Sequence, residues 1–153
     1  MITAAHLHLL LNHFPLVGLA IASLGLLTSI LMKNRGAQVL SIALVILTSS
    51  TAWPVAVSGQ NAYKTIRGVA DDDGADWLDT HLDRADQTVW LFALPPLVGL
   101  LAIFLPNKFP RAATPLTVAT LIAAGVGLGA ATYIADAGGK IRHSEIRSAT
   151  PQP

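Results

Sequence analysis

The chain has 153 residues, of which 52% are hydrophobic and 12% are charged, whereas soluble domains carry about 25% charged residues. Its formal net charge of +1 shows no strong basic excess, which argues against a nucleic-acid partner. The absence of cysteine excludes disulfides, thiolate metal sites, iron–sulfur clusters and covalent haem attachment through a C-x-x-C-H motif.

Four long apolar segments occupy more than half of the chain, at about 9–32, 38–57, 88–105 and 114–135. Each approaches the roughly 20 apolar residues that a helix needs to cross a bilayer core. No Lys or Arg precedes the first segment, and it is too long for the apolar region of a signal peptide, so we interpret it as a retained span. The sequence therefore predicts an all-α transmembrane four-helix bundle, with residues 1–153 as a single integral membrane domain.

Charged residues are distributed unevenly between the two predicted sides of the membrane. The short connections after the first and third spans contain Lys33, Arg35, Lys108 and Arg111 but no acid, whereas all nine acids fall in the other polar segments. Loops rich in Lys and Arg stay in the bacterial cytoplasm. We therefore expect a multi-pass protein of the bacterial inner membrane with both termini in the periplasm.

The outer loop, about 58–87, contains an apolar stripe at helical spacing, formed by Trp77, Leu78, His81, Leu82 and Ala85. We expect a short extra helix over about 75–87 that lies over the bundle, with Trp77 and His81 facing inward. Tryptophans near this side are expected to form an aromatic belt at the membrane surface: Trp53, Trp77 and Trp90.

Small residues recur at helical spacing in two spans. They are Gly18, Ala22, Gly25 and Ser29 in the first span, and the G-x-x-x-G pair Gly125 and Gly129 in the fourth. Close helix packing is the main interpretation, and clearance for the flat face of a macrocycle is the alternative. Pro95 and Pro96 are expected to kink the third span, because both lack a backbone donor.

Five histidines carry most of the functional information, and all five are predicted on the outer side. His13 interrupts an apolar run, where a titratable side chain usually faces a partner; an interfacial imidazole bound to water or a carbonyl is the alternative. His6 and His13 are seven residues apart and share a face if the helix begins early. His8 then points away from them, unless Pro15 marks the true start of the helix.

The two remaining histidines lie close to the ends of predicted helices. His81 belongs to the apolar stripe of the outer loop and is either a packing residue or a ligand. His143 follows the fourth span after Gly138 and Gly139, which we interpret as a hinge, and Glu145 lies next to it in the sequence.

Residues 8–15, His-Leu-Leu-Leu-Asn-His-Phe-Pro, resemble the H-x4-H-F-P signature of a widespread family of four-span bacterial membrane proteins. The stretch from Ser58-Gly59 to His81 is similar to a second signature of that family, and residues 138–146 match its G-G-x-I-R-H-x-E-I signature in full. The resemblance covers nearly the whole chain. It implies that His8, His13, His81 and His143 are family positions, with His6 in this subgroup, and that the protein binds haem or a metal.

Imidazoles from different helices of an apolar bundle suit one or two b-type haems. We expect ligation by His13, His81 and His143, joined by either His6 or His8, with Arg67, Arg84 and Arg142 paired to the propionates. Such a protein would carry electrons between a quinol in the lipid bilayer and a periplasmic electron-transfer protein or larger redox complex. A homo-oligomer is a further candidate assembly.

Two other classes of function remain open. Three imidazoles with a carboxylate or water would hold Cu or Zn at a non-redox site. The chain is alternatively a structural or assembly subunit of a membrane redox complex. The sequence contains no nucleophile–base pair or phosphate-cradling loop, so an electron carrier or complex subunit is favoured over an autonomous enzyme.

Overall fold

In the computed structural model, which describes residues 2–149, the chain folds into four long helices. We label them α1 (Ala4–Leu31), α2 (Arg35–Arg67), α3 (Asp72–Asn107) and α4 (Pro110–Lys140). A short 3-10 segment follows at Ser144–Ala149, and the described residues contain no β-strand. The all-α prediction is confirmed, and all four helices are long and apolar enough to cross a membrane.

The helices form an up-and-down bundle in which each packs on the next along the chain. In the inner half, where the two short connections lie, α4 also packs on α1 and closes the ring. α1 and α3 are therefore diagonal to each other across the bundle. Large apolar side chains fill the inner half, where Leu19, Leu26, Ile42 and Val45 are fully buried. The outer half carries both termini and, at its core, smaller residues.

Local sequence signals fix where the helices begin. The side chains of Thr3, Asn34 and Asp71 each accept a hydrogen bond from the backbone N–H three residues ahead, at the start of α1, α2 and α3. The turn between α1 and α2 passes through Lys33, which adopts a left-handed φ of 51°.

The predicted outer loop at 58–87 is largely helical, because α2 continues to Arg67 and α3 begins at Asp72, so only residues 68–71 are non-helical. Residues 75–87 are helical, as their pattern predicted, and they continue through a 3-10 segment into the third span as the outer part of α3. Hydropathy bounds only the apolar part of a helix, and no residue in the polar turns of α2 ends it before Gly68.

Prolines distort the helices locally. Pro15 lies in a π-helical turn at Phe14–Gly18, and a 3-10 segment at Val89–Ala93 precedes Pro95 and Pro96. Pro96 leaves the carbonyl of Phe92 without its usual helical donor. The hydroxyl of Ser49 on α2 donates to that carbonyl at 2.8 Å, so the neighbouring helix supplies the missing hydrogen bond.

The two small-residue stripes have different surroundings. A Cβ atom on Gly18 would lie 2.8 Å from Cγ2 of Thr48, and one on Gly25 would lie 3.3 Å from Oγ of Ser41. These α1 glycines therefore allow close packing on α2, as predicted. A Cβ on Gly125 or Gly129 would meet nothing within 4 Å, so the G-x-x-x-G pair of α4 faces away from the bundle.

Candidate functional site

Two of the five histidines meet inside the outer half of the bundle. His8 projects from α1 and His81 from the diagonal helix α3, and both are partly buried. Their ring centroids are 6.3 Å apart, and the ring planes cross at 86°.

A backbone carbonyl fixes the tautomer of each imidazole. Nδ1 of His8 lies 3.0 Å from the carbonyl oxygen of Val55, and Nδ1 of His81 lies 2.9 Å from that of Ile134. A carbonyl oxygen can only accept, so each Nδ1 carries the proton and donates it. Nε2 of each ring is then unprotonated and remains available to a ligand, as in metal-binding histidines whose other nitrogen is held by a carbonyl.

Each imidazole also lies against a glycine of the helix that supplies its acceptor. A Cβ atom on Gly59, one turn after Val55, would lie 2.9 Å from Cε1 of His8. A Cβ atom on Gly138, one turn after Ile134, would lie 3.0 Å from Nδ1 of His81. A larger residue at either position would therefore press on the imidazole that the neighbouring carbonyl holds.

The spacing of the two rings matches that of a pair of axial ligands. A metal bound by imidazole nitrogens at about 2 Å on opposite sides separates the ring centres by about 6 Å. The observed distance of 6.3 Å between the ring centroids agrees with this separation. A planar macrocycle that held such an ion would lie between the two imidazoles, perpendicular to the line that joins them.

The other three histidines do not join this pair. His6 and His13 are exposed on the outer side of α1, and Nδ1 of His6 lies 2.9 Å from the hydroxyl of Thr3. The side chain of His143 is 62% exposed, with Nδ1 2.8 Å from Oε1 of Glu145. The expected convergence of His13 and His143 on His81 is therefore not found.

The early start of α1 explains this difference. Because Thr3 caps the helix and Ala4 begins it, the seven-residue spacing places His6 and His13 on one face and His8 on the opposite face. Gly138 and Gly139, which we interpreted as a hinge after the fourth span, lie within the last turns of α4. His143 follows the end of that helix and lies at the surface.

Two cavities flank the histidine pair along the bundle axis. The upper cavity, towards the termini, has a volume of about 370 Å³ and is lined by His8, Arg142 and small residues, among them Ala5, Gly59, Ala62, Ala70 and Gly138. The lower cavity has about 100 Å³ and is lined by His81 and the small residues Ala52, Ala56, Ala85, Ala131 and Ala135. Asn12 also lines it, and its Oδ1 atom is buried without a partner among the described residues.

The candidate arginines have different surroundings. Arg67 is bound to Asp79 at 2.6 Å and links α2 to α3. Arg84 is bound to Asp136 at 3.0 Å and to the carbonyl of Tyr133, linking α3 to α4. Arg142 lines the upper cavity, and within residues 2–149 no ion pair involves its guanidinium.

Arg147 binds the C-terminal segment to two helices of the bundle. Its guanidinium lies 2.9 Å from Oδ2 of Asp71 and also donates to the carbonyl oxygens of Lys140 and Ile141. The hydrogen bond from Arg147 holds the pKa of Asp71 below its usual value. This pair fastens the segment after α4 to the start of α3, next to the upper cavity.

A multidentate site built from protein side chains alone is not found. Within residues 2–149, no group of three or more His, Asp or Glu side chains is placed to hold a metal ion. Comparison with protein-family models, with curated proteins and with solved structures finds no match to this chain. The chemistry of the site is therefore argued from its geometry.

Sequence reasoning missed the residues that orient the ligands. Val55 and Ile134 act through backbone carbonyls, which carry no sequence signal. In the sequence, Gly59 and Gly138 stood out only as motif positions. Each lies one turn after the residue whose carbonyl binds a histidine, and this relation is seen only when the helices are packed together.

Proposed function

We propose that this chain is a membrane protein of the bacterial inner membrane that holds one b-type haem between His8 and His81 and carries electrons. The observation that supports it is the geometry of that pair: two imidazoles on diagonal helices, 6.3 Å apart, each with its Nδ1 bound to a carbonyl. A non-redox Cu or Zn site with three imidazoles has less support, because the other three histidines lie elsewhere.

Exposed aromatic residues support a placement of the bundle in the membrane. Each helix exposes one at the level of the lower cavity: Phe14, Trp53, Trp90 and Tyr133. Below this aromatic belt the helices run about 17–23 further residues, or about 25–35 Å, which is long enough to cross a hydrocarbon core. Trp77 is not part of the belt, since it lies higher and packs under Lys140.

This placement puts the histidine pair just outside the membrane. His8 and His81 lie roughly 10 Å above the belt, counted along their helices. The inner ends carry Lys33, Lys108 and Arg111, so the positive-inside rule assigns them to the cytoplasm. The haem and both termini would then face the periplasm.

The residues around the pair fit a porphyrin. A macrocycle bound through both imidazoles extends to either side of the line that joins them, and the two cavities lie on these two sides. Their alanines and glycines leave room for a flat ring and keep its surroundings apolar. Arg142 lines the upper cavity and has no ion-pair partner among residues 2–149. It would pair with the propionates, so that the acidic edge of the haem would face water.

Within this site the protein binds and orients rather than catalyses. A haem held by two imidazoles supplies a one-electron couple and has no open position for a substrate. His8 and His81 would hold the haem iron, and the carbonyls of Val55 and Ile134 keep the proton of each neutral ring on Nδ1, so that Nε2 faces the iron. A quinol in the bilayer and a soluble periplasmic protein, or a larger redox complex, are the proposed partners.

The ligand assignment is tested with five single alanine variants of the detergent-purified protein. His8→Ala and His81→Ala should each lose haem or become high-spin, because removal of one axial imidazole opens a coordination position. His6→Ala, His13→Ala and His143→Ala are matched controls and should keep the haem content and the sharp reduced α-band. The proposal fails if wild type binds no haem, or if the spectrum depends on the controls and not on His8 and His81.

A further inference from the structure

The outward face of α1 carries a stripe of exposed, mostly apolar side chains above and below the π-helical turn at Phe14–Gly18. In the sequence its members repeat at alternating steps of four and three residues, which is the heptad spacing of paired helices. We call them the α1 seam: His6, Leu10, His13, Val17, Ala20, Leu24, Leu27 and Leu31. All are exposed except Ala20, which is partly exposed, whereas His8, Pro15, Ala22 and Ser29 lie on the opposite face towards the bundle.

The seam continues beyond the part of α1 that lipid would cover. Above the aromatic belt, α1 still exposes large apolar side chains, with Ile2 74%, Leu9 62% and Leu10 63% exposed. At the same height the exposed face of α3 carries Asp76 and Asp83. An apolar helix face in water needs a protein partner, because lipid cannot reach it.

Charge favours a second copy of the same helix as that partner. Residues 2–32 contain no Lys, Arg, Asp or Glu, so two α1 helices can approach each other without bringing like charges together. The other three helices all carry charged residues in their outer turns. Copies inserted in one membrane share the same orientation, so their α1 helices would be parallel and related by a two-fold axis along the membrane normal.

We propose that the protein is a homodimer in which the α1 seams of two copies pair in parallel. A standard interface takes roughly 800 Å² from each partner, and the seam presents seven exposed side chains to such a contact. His6 and His13 would each face their counterpart across the axis, and such polar residues at seam positions fix register and copy number. The dimer does not depend on the haem, since its residues lie on the other face of α1.

Disulfide crosslinking in proteoliposomes tests the interface, because the native chain has no cysteine. Leu10→Cys and Leu24→Cys should form a covalent dimer under mild oxidation. Leu101→Cys on the diagonal helix α3 is the control, with an exposed side chain at a comparable depth. The seam variants should exceed the control by roughly tenfold, because paired helices hold the two thiols at a high effective concentration.

A charge substitution provides a second measurement. Leu10→Glu places two carboxylates opposite each other above the belt, so the particle mass in detergent should fall from dimer to monomer while the haem spectrum is retained. The inference is overturned by a monomeric wild type, by a seam yield equal to that of Leu101→Cys, or by crosslinks concentrated at Ile122→Cys on the glycine face of α4. A seam dimer without haem would refute the proposed function and leave the dimer standing.

Discussion

The same local device holds both histidines of the candidate site, although they lie on different helices. In each case Nδ1 donates to a carbonyl of the neighbouring helix, and a glycine one turn later leaves space for the ring. His8 is held in this way by α2, and His81 by α4. The placement of the two imidazoles thus depends in part on two residues that have no side chain.

Replacement of these glycines should weaken haem binding. Gly59→Ala and Gly138→Ala each place a methyl group within about 3 Å of an imidazole, and overpacking of this kind costs about 1–3 kcal/mol. The affected ring must leave its carbonyl, so haem content and the low-spin spectrum should decline. Pyridine haemochrome assay of the purified variants gives the haem content directly.

Gly125→Ala is the matched control for these variants. A Cβ atom there meets nothing within 4 Å, and alanine favours a helix over glycine by about 0.5–1 kcal/mol. Its haem content should equal that of wild type, with equal or higher stability. If Gly59→Ala and Gly138→Ala behave like this control, the close approach of ring and glycine has no role in ligation.

At the scale of helices, side chains of α2 donate hydrogen bonds to the carbonyls that prolines leave unpaired in α3. Ser49 donates to the carbonyl of Phe92, which Pro96 leaves free. At the inner end, Nη2 of Arg35 donates at 2.6 Å to the carbonyl of Ala102, which Pro106 leaves free. The same guanidinium reaches the hydroxyl of Thr117 on α4, so Arg35 joins three helices.

Arg35→Met should therefore destabilise the bundle. Ala102 is fully buried, and a buried carbonyl that loses its partner costs about 1–3 kcal/mol. Arg111→Met, at an exposed position on the same side, changes the net charge equally and should have little effect. Equilibrium unfolding in mixed detergent micelles measures the difference, and equal stability of the two variants would show that Arg35 acts only through its charge.

At the scale of the whole molecule, the bundle divides into an inner half suited to lipid and an outer half suited to water. Large apolar side chains fill the first, whereas small residues and two cavities occupy the second around the histidine pair. Ion pairs occur in the outer half, where Arg67, Arg84 and Arg147 link helices and the C-terminal segment. The proposed site is thus a soluble-like extension of a membrane bundle.

The orientation of this molecule can be measured with single cysteines. Variants Thr3→Cys and Ser144→Cys should react with a membrane-impermeant thiol reagent in intact spheroplasts, and Asn34→Cys should react only after lysis. Loops rich in Lys and Arg resist translocation, which is the physical basis of this expectation. If only Asn34→Cys is labelled in intact spheroplasts, the orientation is reversed and the histidine pair lies on the cytoplasmic side.

The sequence by itself determined the number and type of the helices. Hydropathy and helix capping are properties of short stretches of chain, so the four apolar segments and caps such as Asn34 and Asp71 were readable without a fold. It also identified the five histidines as the residues to examine. The apolar segments read from the sequence stop before the outer ends of the helices, because the polar turns at those ends have no hydropathy signal.

Only the tertiary structure decided which histidines meet. The selection of His8 over His6 and His13 depends on the rotation of α1 about its axis, which its start after Thr3 and its packing on α2 fix together. The approach of His81 depends on α1 and α3 being diagonal, with α2 and α4 supplying the carbonyls between them. These are relations between distant segments, and a local pattern contains no information about them.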